Sequence, residues 1–164
     1  LESLSMGFFP VPRLNPAHPS TTFAVRKSPL RVDLLTPKTS QSEDPVFIPR
    51  LNAAAQPLSH LDYLITDPIP CCIINGDAIA VMVPQPLVFG LHKLIVSQLR
   101  DVTSGAKAHK DLYQAYQILS YFDQERPFEL QQSWKELISK GGAWKKRAEA
   151  GLAATKKFGE LTAI

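Results

Sequence analysis

Val81-Met82-Val83-Pro84-Gln85-Pro86-Leu87-Val88-Phe89-Gly90-Leu91-His92-Lys93-Leu94-Ile95 is the stretch on which the period of the chain changes. Before Pro84 the apolar residues come in short runs bounded by Pro, Gly and Asn, as strands and turns require. After Pro86, a residue suited to the first turn of a helix, Leu87, Leu91, Leu94 and Ile95 recur at helical spacing and mark one face. Ser104-Gly105 interrupts. A second helix is predicted over about 107–122, with Leu112, Ala115, Tyr116 and Leu119 on its apolar face. A third covers roughly 128–139 and stops at Gly141-Gly142, and a fourth, Ala-rich, spans about 143–157. Several strands followed by several helices predict an α+β fold. Its expected form is a mixed or antiparallel sheet over residues 1–85 followed by a helical C-terminal region over 86–164.

Upstream of Pro84, Cys71–Ile74 and Ala78–Val83 predict a hairpin closed by Asn75-Gly76, a dipeptide suited to a type I′ turn. Phe8–Pro12 reads as a short strand. Thr21–Arg26 and Leu30–Leu35 read as an antiparallel hairpin joined by Lys27-Ser28-Pro29, and Val46–Arg50 as an edge strand, where Pro is tolerated. Arg13–Ser20 and Thr36–Asp44 read as loops, and Leu61–Ile65 as a short apolar segment. Leu1–Met6 looks like the final turns of a helix ended by Gly7. A helix entered in mid-pattern predicts that further chain precedes it.

At 164 residues the chain suffices for one well-cored domain with a small helical appendage. A net charge of +3 gives no argument for nucleic acid from the total alone. The distribution is less even, because Lys135, Lys140, Lys145, Lys146, Arg147, Lys156 and Lys157 crowd the last third. Two readings follow: a solvated helix face, or contact with nucleic acid. Cys71 and Cys72, adjacent on a strand, point to opposite faces, which disfavours a mutual disulfide or a shared metal site. They read as small apolar core residues in a reducing compartment. No transmembrane span and no signal peptide are recognisable, so a cytoplasmic location is expected. His18, His60, His92 and His109 lack a second ligand at metal spacing and read as non-catalytic. Neither GxxxxGK[ST] nor GxGxxG occurs. Trp134 and Trp144 read as packing anchors.

Two acids stand out. In Leu30-Arg31-Val32-Asp33-Leu34-Leu35-Thr36-Pro37 a single carboxylate is set into an apolar strand. Alternation puts Arg31, Asp33 and Leu35 on one side and Leu30, Val32 and Leu34 on the other. Such an acid needs a cation, a metal or hydrogen-bond donors. It is either a site of chemistry or a strand-edge acid paired with Arg31 or Arg26. Asp111 shares a helix face with Ala115, Ile118 and Phe122 and so points toward packing partners. Lys93, Arg100 or Lys107 could supply its cation, with Lys93, across the helix pair, the favoured partner. Lys107, one turn away, offers only a weak surface pair. That pair reads equally as an interhelical salt bridge or as part of a site.

Gly7-Phe8-Phe9-Pro10, the hairpin carrying Arg31 to Pro37, Val83-Pro84 leading to Phe89-Gly90-Leu91-His92-Lys93-Leu94, and His109-Lys110-Asp111-Leu112 occur in that order. The series resembles the nucleotidyltransferase superfamily with a polymerase-beta-like catalytic domain, nearest its minimal bacterial branch that includes the abortive-infection toxin type. The likeness covers roughly residues 1–125. It implies transfer of a nucleoside monophosphate from an NTP to a hydroxyl acceptor (a protein, an RNA or a small molecule), with Mg²⁺ as cofactor and an antitoxin as partner. Asp33 would then be the third metal-binding acid and a helper of the attacking hydroxyl. Lys93 would face the nucleotide phosphates, with Asp111 and Lys110 beside it as further nucleotide-binding residues. The family's Gly-Ser turn and paired acids do not occur ahead of Asp33, and one carboxylate does not hold two Mg²⁺ ions. Transfer therefore depends on that motif being present upstream of Leu1. The alternative is a catalytically inactive relative acting as a binding or partner-docking module.

Overall fold

The computed structural model describes residues 7–164, so the helix end expected over Leu1–Met6 lies outside the described residues. The chain divides into two compact units, the first ending at Asp62 and the second running Tyr63–Ile164. Helices and strands combine as the α+β class requires.

In the first unit, β1 (Phe8–Pro10), β2 (Thr22–Val25) and β3 (Arg31–Asp33) form an antiparallel sheet in that order. The expected hairpin is present, with Thr22 opposite Asp33 and Ala24 opposite Arg31. Lys27 takes a left-handed φ of 58° to reverse the chain. A second sheet has the order β4 (Leu35–Pro37), β6 (Ala53–Leu58), β5 (Val46–Ile48). Here β5 lies at an edge as expected, and β4 runs parallel to the central β6.

The strand predicted over Leu30–Leu35 is in fact two. The Leu34 N–H donates to the Thr21 carbonyl at 2.8 Å, and the Leu34 carbonyl accepts from the Gln56 N–H at 2.8 Å. The backbone thus leaves one sheet and enters the other at this residue. Strand β6 has no counterpart in the sequence reading, since Ala53-Ala54-Ala55 favours helix and Pro57 argues against a central strand. Its small side chains instead sit in the interior, Ala54 and Ala55 being buried.

The short helix α1 (Leu61–Ile65) leads into the second unit. There β7 (Ile69–Asn75) and β8 (Asp77–Val83) form the expected hairpin. Its turn is a correction. Pairing runs on past Ile74 and Ala78 to Asn75 opposite Asp77, so Gly76 alone, at φ +79°, separates the strands where a two-residue turn was expected. Cys71 and Cys72 are also corrected, being exposed rather than in the core. A two-stranded ribbon buries a face only where another layer covers it.

The helices are α2 (Pro86–Ser97), α3 (Gly105–Glu125), α4 (Pro127–Ser139) and α5 (Gly142–Thr155). Pro86 and Pro127 begin α2 and α4, where a missing N–H costs nothing. Leu87, Leu91, Leu94 and Ile95 from α2 meet Leu112, Ala115, Leu119 and Phe122 from α3, with Leu130, Leu137 and Ala148 closing the core. Trp134 and Trp144 pack against it as expected. Tyr63 stands edge-on to Trp144 at 5.5 Å. Burial, aided by the Glu136 carboxylate, pushes the Tyr63 hydroxyl up to about 12. Among the described residues, no helix is long and apolar enough to cross a membrane.

Gly151 sets how closely α5 approaches α2, because a methyl group there would collide with the Leu94 backbone carbonyl. Backbone yields less readily than a side-chain tip. Gly151→Ala is therefore expected to lower the unfolding free energy by about 2–3 kcal/mol, even though Ala is the better helix former. Urea unfolding followed by Trp fluorescence measures it, and an unchanged midpoint would show that the helices separate freely.

Candidate functional site

Asp33 ends β3, directly across from Thr22, whose hydroxyl donates to Asp33 Oδ1 at 2.6 Å. The carboxylate is exposed. It is not held by arginine: Arg26 lies over the Phe9 ring at 5.9 Å, and no ion pair among the described residues involves Asp33. An ionised carboxylate accepts about four hydrogen bonds, so a single hydroxyl leaves most of its capacity unused. Asp33 also immediately precedes the Leu34 crossover.

Thr22 joins Asp33 to an open hollow of about 420 Å³, lined also by Arg13, His18, Ser20 and Thr21. Arg13 Nη1 donates to Thr21 Oγ1 at 3.0 Å and to Gln56 Oε1 at 2.8 Å, tying the two sheets of this unit together. The sequence reading left Arg13 in a loop. Only the neighbouring prolines hinted that its backbone is constrained.

The second unit holds the other expected residues. Lys93 Nζ meets Asp111 Oδ1 at 2.5 Å, the interhelical pair anticipated from spacing. Arg100, not Lys107, completes the cluster, its Nε and Nη2 lying 3.0 and 2.9 Å from Asp111 Oδ2. Arg100 follows α2 on a connecting segment and is one of the three cations expected for Asp111. Lys93 also approaches the Phe89 ring at 5.1 Å. Lys110 is exposed beside Asp111. Asp111 itself is buried. Burial alone would raise its carboxyl, but hydrogen bonds from Lys93 and Arg100, with their charges, outweigh it and hold the group below its ordinary value. Two cations against one anion leave the cluster with one surplus positive charge.

Asp123 is held low as well: burial opposes ionisation, and N–H donation from Thr162 and Ala163, with the Thr162 hydroxyl, overcomes it. Folded values below the unfolded ones add stability above the ordinary carboxyl value of 3.8 and lose it as pH falls through the folded values. The unfolding free energy is thus expected to decline as pH drops below that value. In Asp123→Asn the decline should be shallower, as titration of thermal melts can establish. A decline of equal steepness in the variant would remove Asp123 from this account.

Lys93 and Asp111 therefore meet in the second unit, where Lys110 is the exposed sequence neighbour of Asp111, while Asp33 belongs to the first unit. Among the described residues, no group of three or more His, Cys, Asp or Glu is placed to hold a metal ion. The two-ion cradle implied by resemblance does not fit these residues alone; Asp33 offers one carboxylate toward it.

Residues 1–139 match a family model described as Nucleotidyltransferase. The chain belongs to that family. The nucleotidyltransferase match runs from the first sheet to the last residue of α4 and leaves α5 outside it. No curated protein and no solved structure gives a significant match. Nucleotidyltransferases take an NTP as substrate and typically use divalent metal ions.

Proposed function

We propose that this nucleotidyltransferase moves a nucleoside monophosphate from an NTP to a hydroxyl acceptor when paired acids join Asp33. An acceptor oxygen would bond to the α-phosphorus while the bond to the β-phosphate oxygen breaks. Pyrophosphate leaves and the hydroxyl proton passes to a base. Asp33 contributes a carboxylate at a strand end, oriented by the Thr22 hydroxyl. Lys93 contacts the nucleotide phosphates, Asp111 fixes the position of its ammonium group, and Lys110 lies beside them. Mg²⁺ is the ion this reading implies. The branch to which the sequence is most similar would add an antitoxin partner and a cytoplasmic location.

One observation carries the reading: the acid of the family-like strand is exposed and accepts a single hydroxyl bond, instead of being neutralised by arginine. The competing reading is a non-catalytic docking module. Incubating full-length protein with each α-labelled NTP, Mg²⁺ and total cellular RNA or protein separates the two. Labelled acceptor with pyrophosphate release supports transfer. No pyrophosphate from any of the NTPs supports the docking module.

A further inference from the structure

We propose that the exposed basic surface of α5 binds the phosphodiester backbone of RNA. Between residues 135 and 157 seven Lys or Arg face two Glu, a local surplus of +5 in a chain whose total is +3, leaving −2 elsewhere. The structure keeps this charge outward. Ala148, Gly151 and Thr155 take the buried side of α5, while Lys145, Lys146, Lys156 and Lys157 are exposed. Lys156 continues the helical backbone past Thr155 at φ −55° and ψ −27°. Lys145 and Lys156 are thus eleven residues apart and span about 16 Å down one side of the helix, with Lys157 following in the turn beyond it. That is on the order of five phosphate spacings along one strand.

Lys140 lies over the Tyr63 and Trp144 rings at 5.3 and 5.8 Å and Lys157 over the Phe158 ring at 5.0 Å, contacts that leave the charges unneutralised. Lys145 reaches Glu149 only at 3.8 Å in an exposed pair, which salt weakens. Among the described residues Lys146, Lys156 and Lys157 have no acidic partner. An anionic membrane is the poorer fit. The outer residues between the lysines are Glu149, Ala150 and Ala153, none of which can anchor in a bilayer as Trp, Phe or Leu would. RNA supplies both the repeated phosphates and a 2′-hydroxyl on every nucleotide.

The test is fluorescence anisotropy of full-length protein with a labelled RNA hairpin, without NTP, between about 50 and 200 mM salt. Wild type should show log K falling with log salt at a slope of about −4, as for four or five phosphate contacts. The exposed-site variant Lys146→Gln/Lys156→Gln/Lys157→Gln should flatten that slope by about 3 and weaken binding at least about tenfold at the lowest salt. The corresponding Arg triple should restore both. The inference is overturned by absent RNA binding, by a slope the Gln triple does not change, by tighter binding to a DNA hairpin of the same sequence, or by binding only to phosphatidylcholine–phosphatidylserine vesicles. RNA binding without nucleotidyl transfer would instead defeat the transfer reading and leave the surface assigned.

Discussion

Asp111→Ala is expected to lower the unfolding free energy by about 3 kcal/mol, the low end of the range for breaking a buried ion pair. Asp111 is buried and answers two cations, Lys93 and Arg100, from opposite oxygens. Removing it leaves Lys93, only 18% exposed, without its counter-ion on a helix face. Arg100 is 37% exposed and recovers much of its hydration, which keeps the loss from being larger. Asp111→Asn should fall between, since the amide oxygen still accepts one hydrogen bond. Lys93→Met should cost less than Asp111→Ala, because Arg100 continues to satisfy the carboxylate. A pair of apolar replacements, Asp111→Leu with Lys93→Met, should recover part of the loss. Urea denaturation of this small set decides the matter. Equal stability of wild type and Asp111→Ala would mean the cluster is a surface contact with no structural weight, despite its burial.

Asp33→Asn should behave in the opposite way. The site is exposed and Asn still accepts from the Thr22 hydroxyl, so stability should stay within about 0.5 kcal/mol of wild type. Transfer should fall by about a thousandfold, since stabilisation by a bound metal is worth several kcal/mol at the transition state. The split between the two readouts is diagnostic. A strand-edge acid would show a small change in stability and none in kcat/KM, whereas a metal-bearing acid shows the reverse. Steady-state pyrophosphate release beside thermal melts provides both numbers on one preparation.

The helical half was legible because its signals are redundant. Leu87, Leu91, Leu94 and Ile95 repeat at helical spacing, Pro86 marks an entrance and Gly141-Gly142 an exit, and each agrees with the others. The same spacing aimed Asp111 inward and so called for Lys93. Non-local pairing was not legible. Nothing near Leu34 announces that its N–H belongs to one sheet and its carbonyl to another, because that division depends on Thr21 and Gln56 arriving from elsewhere. Ala53–Leu58 is a strand by virtue of its two neighbours, against its own preferences. The Cys71-Cys72 run was misread because apolar composition says a side chain suits an interior, not that an interior is supplied. At the candidate site, Asp33 stood out as a lone charge among apolar residues. Arg13 did not, since a loop arginine carries no periodicity from which to infer its partner, whereas Arg100 was among the cations expected for Asp111.

Calorimetric titration of full-length protein with Mg-NTP, repeated on Asp33→Asn and after chelation with EDTA, bears most directly on the claim that Asp33 serves a metal-dependent nucleotide site. The expected result is saturable heat for wild type that disappears with EDTA and is lost or strongly weakened in Asp33→Asn. Identical binding curves for wild type and variant, indifferent to the metal, would contradict it and return Asp33 to the role of a hydrogen-bonded strand end.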